Sequence, residues 1–298
     1  MNARRPSARA RLLTRALLPA LGAAALVGSA VVPASAAPTP VACGEAALST
    51  AITAANVSGG TLALAPGCTY TLTAPLPTIT STVVVQGRVA TITRSNAAPE
   101  FGILRVAPGG SLDLRDAIIT NGAATAPGDF GGGIHNEGDL MVVRTIIKDN
   151  RAQYSGGIGG STGTTTTVAH SFINKNSALH NGGGLANDGT MTLDHTVLSD
   201  NTAAERGGGV ANDAKLTITR SVLNGNSAGT VGGGVANFGS ASASTTLNHA
   251  IVTGNKAVTA AGGVYNETGT VSTTASIIAL NTPNNCVTSA PAVPQCLN

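Results

Sequence analysis

Between residues 101 and 285 the apolar positions come in short alternating bursts. Met191-Thr-Leu193 and Leu216-Thr-Ile218 are examples, each followed a few residues later by a second burst such as Val197-Leu198 or Val222-Leu223. Alternation with period two marks a half-buried strand. The bursts also recur at a fixed distance. The landmarks are Asn150, Asn176, Asn201, Asn226, Asn255 and Asn281, in steps of 26, 25, 25, 29 and 26. Aligned on that Asn, the positions ten before it are Leu140, Thr166, Met191, Leu216, Thr245 and Val271. The positions eight before are Val142, Val168, Leu193, Ile218, Leu247 and Thr273, and those three before are Ile147, Ile173, Leu198, Leu223, Val252 and Ile278. Ala152, Ala178, Ala203, Ala228 and Ala257 follow two after it. Leu112, Leu114, Ile118, Ile119, Asn121 and Ala123 read as an earlier, slightly shortened copy.

No single repeat can bury its apolar face alone. Stacked about 4.8 Å apart, successive repeats lay Val on Leu on Ile in continuous columns. The pattern predicts an all-β, single-domain right-handed parallel β-helix with rungs of about 25 residues. Gly-Gly-Gly at 131–133, 182–184, 207–209 and 232–234 marks one bend per rung and predicts positive φ there. The six Asn are read as structural, a ladder of stacked side-chain amides at a sharp corner whose left-handed backbone Asn tolerates. At the N-terminal end, Ala46, Leu48, Ile52 and Ala55 recur at near-helical spacing and predict a capping helix within 43–57. Strands then begin at Thr61–Leu64 and Thr69–Leu72, the clearest repeats run from 101 to 285, and 286–298 forms the other cap.

Two of these repeats, "GGGLANDGTMTLDHTVLSDNTA" and "GGGVANDAKLTITRSVLNGNSA", resemble those of parallel β-helix proteins related to the polymorphic outer-membrane proteins of chlamydiae. The first motif of that group, GG-aliphatic, matches well. The second, FxxN, appears as aliphatic-x-x-Asn-x-Ala, as in Leu198-Ser-Asp-Asn201-Thr-Ala203. The resemblance covers about residues 100–285 and implies the pectin-lyase-like superfold, which hosts lyases, hydrolases, adhesins and passenger domains alike. Fold therefore does not decide function. The outer-membrane relatives end in an autotransporter barrel. Twelve residues follow Cys286 here, so the expectation is free secretion without an anchor.

Composition changes the picture in two places. The formal charge of +3 comes from 17 Lys and Arg against 14 Asp and Glu. Five of these, Arg4, Arg5, Arg9, Arg11 and Arg15, precede the apolar run Ala16–Val32 and the small-x-small site Ala34-Ser35-Ala36. That is the layout of a secretory signal peptide over 1–36. A membrane anchor is the alternative, but the run is short and holds Pro19. The remainder, 37–298, carries 12 basic and 14 acidic residues, so no basic footprint points to nucleic acid. The expected mature chain is extracellular, spans no membrane and is a monomer. Four cysteines, Cys43, Cys68, Cys286 and Cys296, read as disulfides in an exported chain. Of three pairings, Cys43–Cys68 with Cys286–Cys296 is favoured, because each bridge then clamps one terminus.

Candidate chemistry is sparse. Asp113, Arg115 and Asp116 form the one cluster with both a carboxylate and an Arg that could act as base, and they are the catalytic candidates; an ordinary Asp113–Arg115 surface pair is the bland alternative. Glu137, Asp188, Asp213 and Glu267 form an acidic column interrupted by Phe238. Asp188 and Asp213 should stack; solvated turn residues splayed apart are the preferred reading, and a Ca²⁺ ion held between them is the alternative. Arg144, His170, His195, Arg220 and His249 form another column. His170 and His195 are close enough to share a metal, but the two Arg argue against a cation, leaving a variable exposed corner as the preferred reading. No other cofactor is implied. Only seven aromatics occur, none of them Trp, which weakens a sugar-processing groove. The residues thus predict a non-enzymatic, secreted solenoid for structural, surface or adhesive contact with glycan or protein. A polysaccharide lyase or glycoside hydrolase is the alternative.

Overall fold

A computed structural model describes residues 37–296; the leader expected at 1–36 and residues 297–298 lie outside them. The described chain is a parallel β-helix. One rung reads Leu185–Asn187, Thr190–Asp194, Val197–Ser199 and Thr202–Ala203, and the next begins at Val210. Each strand pairs in parallel with its equivalent one rung away, as Thr190–Asp194 does with Lys215–Thr219. Three sheets result among the described residues. A broad sheet of 17 strands takes the five- and three-residue strands. A sheet of seven holds the strands that follow the glycine bends, and a sheet of six holds the two-residue strands. The predicted columns are the core: Leu193, Ile218 and Leu247 stack, as do Ile147, Ile173, Leu198 and Leu223, all fully buried.

The Asn column forms the predicted ladder. Asn201 Nδ2 donates to Asn226 Oδ1 (2.9 Å) and to Ile173 O (2.9 Å), while Asn201 Oδ1 accepts from both the backbone N and the Nδ2 of Asn176 (3.0 Å each). Asn150 makes the same bonds to Asn176. Asn255 departs from the regular spacing, standing 29 residues after Asn226 instead of 25 or 26, yet it keeps its place in the ladder. Its Oδ1 accepts from the backbone N (3.0 Å) and Nδ2 (2.9 Å) of Asn226, and its Nδ2 donates to Asn281 Oδ1 and Leu223 O (2.9 Å each). The extra length is taken up in the turn after Phe238, before the next broad-sheet strand, so the register downstream is preserved. At the end of the column the Asn285 Oδ1 accepts the last pair of bonds, from Asn281. These six amides are buried, and each satisfies backbone groups that the corner would otherwise strand.

Three details differ from the sequence reading. The left-handed residue is not the ladder Asn but the one before it. Asp149, Lys175, Asp200, Gly225, Gly254 and Leu280 precede Asn150, Asn176, Asn201, Asn226, Asn255 and Asn281, and they share with Asn121 a φ between 54° and 65°. The early copy is therefore misregistered by one at its end. Gly122, not Asn121, occupies the ladder column and donates its N–H to Asn150 Oδ1, and Ala124, not Ala123, pairs with Ala152. Only the first glycine of each triplet is a positive-φ bend, at Gly131, Gly182, Gly207 and Gly232 (66–73°). The second answers to close approach, since a Cβ on Gly183 would lie 2.5 Å from Gly208 O.

Two further polar columns emerge. Asn187, Asn212, Asn237 and Asn266 form a second amide ladder with Nδ2 to Oδ1 distances of 2.7–2.8 Å. At the corner between the two broad-sheet strands, buried hydroxyls accept from backbone amides, as Ser171 Oγ does from Thr145 N and Ser221 Oγ from Thr196 N.

The first rungs are closed by a helix, Glu45–Ser58, which buries Leu48, Ile52 and Ala55; Ala46 faces water, and Ala47 packs on the core instead. A strand not foreseen, Thr39–Val41, pairs with Gly60–Leu64, and Tyr70 Oη donates to Val41 O beneath it. Both favoured disulfides are formed, Cys43–Cys68 and Cys286–Cys296. No helix among the described residues is long and apolar enough to cross a membrane.

Truncating one ladder amide, as at Asn201, removes a partner from four buried groups on the two neighbouring rungs. Asn201→Ala is expected to cost at least about 3 kcal/mol in urea denaturation. Asp200→Gly, at the exposed corner where Gly225 and Gly254 already stand, is expected to change stability by less than about 1 kcal/mol. Equal effects of the two would contradict the ladder.

Candidate functional site

The broad sheet turns a plain face outward. Its external rows run Met141, Thr167, Thr192, Thr217, Thr246, Ser272 and Asp139, Thr165, Thr190, Lys215, Ser244, Thr270. The catalytic candidates sit at the start of this face and do not form one constellation. Arg115 grips Asp113 through two hydrogen bonds (2.8 and 2.7 Å), while Asp116 turns away at positive φ and is gripped in the same way by Arg144 of the next rung (2.7 and 2.8 Å). The Asp113 hydrogen bond and charge raise the affinity of the Arg115 guanidinium for its proton, which is opposite to what a base needs.

The chemistry gathers on the seven-stranded sheet. Its strands are three residues long, so the first and third side chains point inward and the middle one outward. The outward row is Arg105, His135, Gly159, Ala186, Ala211, Ala236 and Tyr265. The three alanines point out of the helix yet are only 7%, 4% and 0% exposed. They are the floor of a trough whose walls rise from the turns on either side.

One wall is aromatic. Phe130 stacks on Tyr154 and Tyr154 on His180, each at 4.9 Å between ring centres and 19° between planes, and His180 Nδ1 lies 2.6 Å from Glu205. The facing wall is the acidic column, extended by one member: Glu137, Ser161, Asp188, Asp213, Phe238 and Glu267, whose backbone amides bond in succession down the preceding rungs. Between the walls, Phe130, Tyr154, Asn181, Ala186, Asp188, Ala211, Asp213 and Phe238 line a cavity of about 150 Å³. Arg206 closes one end, reaching across to lie over the Phe238 ring (5.1 Å) and to pair with Glu267 (2.5 Å). Beyond Phe130 the other end opens into a larger cavity of about 410 Å³, bordered by Phe101, Glu100, Arg105, Asp129 and His135.

Asp188 and Asp213 thus stand one rung apart, half-buried against rings and alanines rather than splayed into water. Burial pushes the Asp188 carboxyl above the ordinary carboxylate range, and the charge of Asp213 adds to this. Burial also raises Asp213; the Ser240 backbone N–H pulls it back and Glu267 pushes it up again. One Asp213 oxygen, Oδ1, is buried without a hydrogen-bond partner. It rests against Gly239, where any Cβ would collide with it. On the floor, burial holds His135 below the ordinary imidazole range. Ca²⁺ takes six to eight oxygens, whereas the lining adds to the two carboxylates only Asn181 and the Tyr154 hydroxyl among rings and methyl groups. The surroundings suit an organic ligand better than a bare ion.

Sequence reasoning finds the acidic wall but not the aromatic one. Phe130 and Tyr154 stand one residue before their positive-φ bends, Gly131 and Ser155, whereas His180 stands two before Gly182, so no single column displays them. The aromatic count also misleads. Phe101, Phe130, Tyr154, Phe238 and Tyr265, five of the seven, border this one face.

No protein-family model and no curated protein matches the chain. Among solved structures it is similar to the crystal structure of pectate lyase Pel9A, with 12% identity and a TM-score of 0.48 over 79% of this chain. The chain spans 66% of that protein's length.

A carboxyl whose folded-state pKa is raised contributes stability that is fully present below the unfolded value and lost as pH rises through the folded one. Ionised Asp188 therefore costs stability at neutral pH. Asp188→Asn is expected to raise the melting temperature at pH 7, with a gain that shrinks as pH falls towards 4. Scanning fluorimetry across that range checks the sign; a variant less stable at pH 7 contradicts the burial of this charge.

Proposed function

We propose that the protein is a secreted, non-enzymatic β-solenoid that binds a glycan chain along the trough. The observation that carries this is the floor of Ala186 and Ala211, sunk between the Phe130–Tyr154–His180 stack and the Asp188–Asp213 pair. Flat rings bury the apolar face of a pyranose, and carboxylates accept hydrogen bonds from its hydroxyls. Both arginines in the trough are committed to acids, Arg105 to Glu137 (2.7 Å) and Arg206 to Glu267. Asp188 and Asp213 form no ion pair among the described residues. The unbalanced charge is negative, which favours neutral or amine-bearing sugars and disfavours polyuronates. The flat, Thr-rich broad sheet adds a second surface suited to weak repeated contacts.

A second reading is glycoside hydrolysis. It is favoured by two neighbouring carboxyls with raised proton affinity, since one held protonated is a general acid. The elimination chemistry of a lyase has less support, because no unpaired Arg or Lys lines the 150 Å³ cavity.

Affinity electrophoresis against neutral glycans, chitosan and polygalacturonate tests the reading, alongside a reducing-sugar and unsaturated-product screen with and without calcium. Retardation by neutral or amine-bearing glycans without turnover is expected, weakened about tenfold in Tyr154→Ala (~1.4 kcal/mol). Turnover abolished by Asp188→Asn or Asp213→Asn would replace binding with hydrolysis. Retardation by none of these glycans would overturn the site.

A further inference from the structure

A second cluster lies away from the trough, at the corner between the five- and three-residue strands of the broad sheet. Every rung bends there through a residue of positive φ: Asp116, Arg144, His170, His195, Arg220, His249 and Ala275. The bend projects the side chains of this column outward side by side. At two successive rungs that side chain is imidazole. His170 and His195 stack with ring centres 5.0 Å apart and planes 17° from parallel. Their spacing is locked by the strands on both sides, since Ala169 pairs with Asp194 and Phe172 with Val197, while His170 N donates to Asp194 O.

The third member comes from the adjoining outward row. That row reads Arg115, Val143, Ala169, Asp194, Thr219, Asn248 and Thr274. Its one acid occurs at the rung where it meets the paired imidazoles. Asp194 Oδ1 lies 3.0 Å from His195 Nδ1. One donor atom from each of His170, Asp194 and His195 falls within 4.8 Å of the other two.

We propose that His170, Asp194 and His195 form a surface site for a borderline divalent transition ion, Cu²⁺ or Zn²⁺. Two imidazoles and a carboxylate are a ligand set for these ions and not for Ca²⁺ or Mg²⁺. The side chains are half-exposed, so rotation about their χ angles can draw the donors in to metal–ligand lengths of about 2.0–2.2 Å. Water completes the coordination sphere. The arginines in the column do not block the site. Arg144 is neutralised by its two bonds to Asp116. Arg220 is exposed, and its charge is screened by solvent and salt. Asp194 supplies the negative charge that offsets the ion. Bound there, the metal would cross-link two rungs at a corner whose hydrogen bonds are otherwise those of the backbone and the buried hydroxyls.

Titration of the untagged protein with Cu²⁺ in a non-chelating buffer, followed by calorimetry and electron paramagnetic resonance, tests the site. One ion per chain is expected, able to displace Zn²⁺ bound beforehand, with hyperfine structure from two imidazole nitrogens. His170→Ala and His195→Ala should each weaken binding at least tenfold and leave one nitrogen in the spectrum. Asp194→Asn should weaken it less, and His249→Ala, in the same column but outside the cluster, should leave it unchanged. Circular dichroism identifies any variant that has lost its fold; for such a variant, His170→Gln or His195→Gln takes its place. No binding, binding indifferent to both histidine substitutions, or a single-nitrogen spectrum in the unsubstituted protein would overturn the proposal.

Discussion

The structure depends on the buried side-chain amide of one asparagine per rung. A parallel solenoid must turn a corner several times in each rung, and each corner takes backbone groups out of the sheets that would satisfy them. Asn150, Asn176, Asn201, Asn226, Asn255 and Asn281 meet that need with one group that bonds both the next member of the column and the backbone of the preceding rung at the same corner. An amide at any other place in the rung would leave those groups bare in an apolar interior, at about 1–3 kcal/mol for each. The ladder therefore fixes the register, and an insertion is admitted only where it can loop out, as in the longer step from Asn226 to Asn255. With register fixed, every other column follows, including the Val, Leu and Ile stacks, the second amide ladder and the outward rows.

That dependence explains what can be read from residues alone. Inward columns are constrained in type and spacing, so the period, the core, the ladder and both disulfides are legible. Where the ladder residue is glycine the register is lost by one, because Asn121 beside Gly122 looks like a ladder member. Positive φ is assigned to the wrong residue for the same reason, since composition does not distinguish a corner from the position next to it. The trough is illegible because its walls come from turns. Turn lengths vary between rungs, and the four extra residues after Phe238 bring Gly239 and Ser240 onto Asp213. No fixed spacing connects Phe130, Tyr154 and His180, and they meet only in three dimensions. In the sequence the arginines of the histidine column argue against a metal, and only the structure shows Asp116 holding one of them.

The faces of the solenoid divide the work. The broad sheet presents Thr-rich rows on its five-residue strands and an apolar row, Ile146, Phe172, Val197, Val222, Ile251 and Ile277, on its three-residue strands. The seven-stranded sheet concentrates five aromatics and a half-buried pair of carboxyls over a floor of methyl groups. Ionised Asp188 and Asp213 oppose folding at neutral pH, and no cation lining the cavity compensates them. A ligand that donates hydrogen bonds to both would relieve that cost on binding. The same pair provides the proton affinity on which the hydrolytic alternative rests, so binding and catalysis differ here by what the ligand lets those carboxyls do.

The central claim is that one register, set by the ladder, holds the solenoid together. Deleting residues 201–225 joins Asp200 to Asn226 and removes one whole period of 25 residues. Deleting Thr217 alone, inside a five-residue strand where nothing can loop out, shifts one side of that strand by a residue and turns its apolar set to solvent. Urea unfolding of the two shortened chains measures the claim directly. The account predicts that the 25-residue deletion unfolds cooperatively with near-native stability and that the shorter deletion does not fold. Two deletions with the same unfolding curve would contradict it.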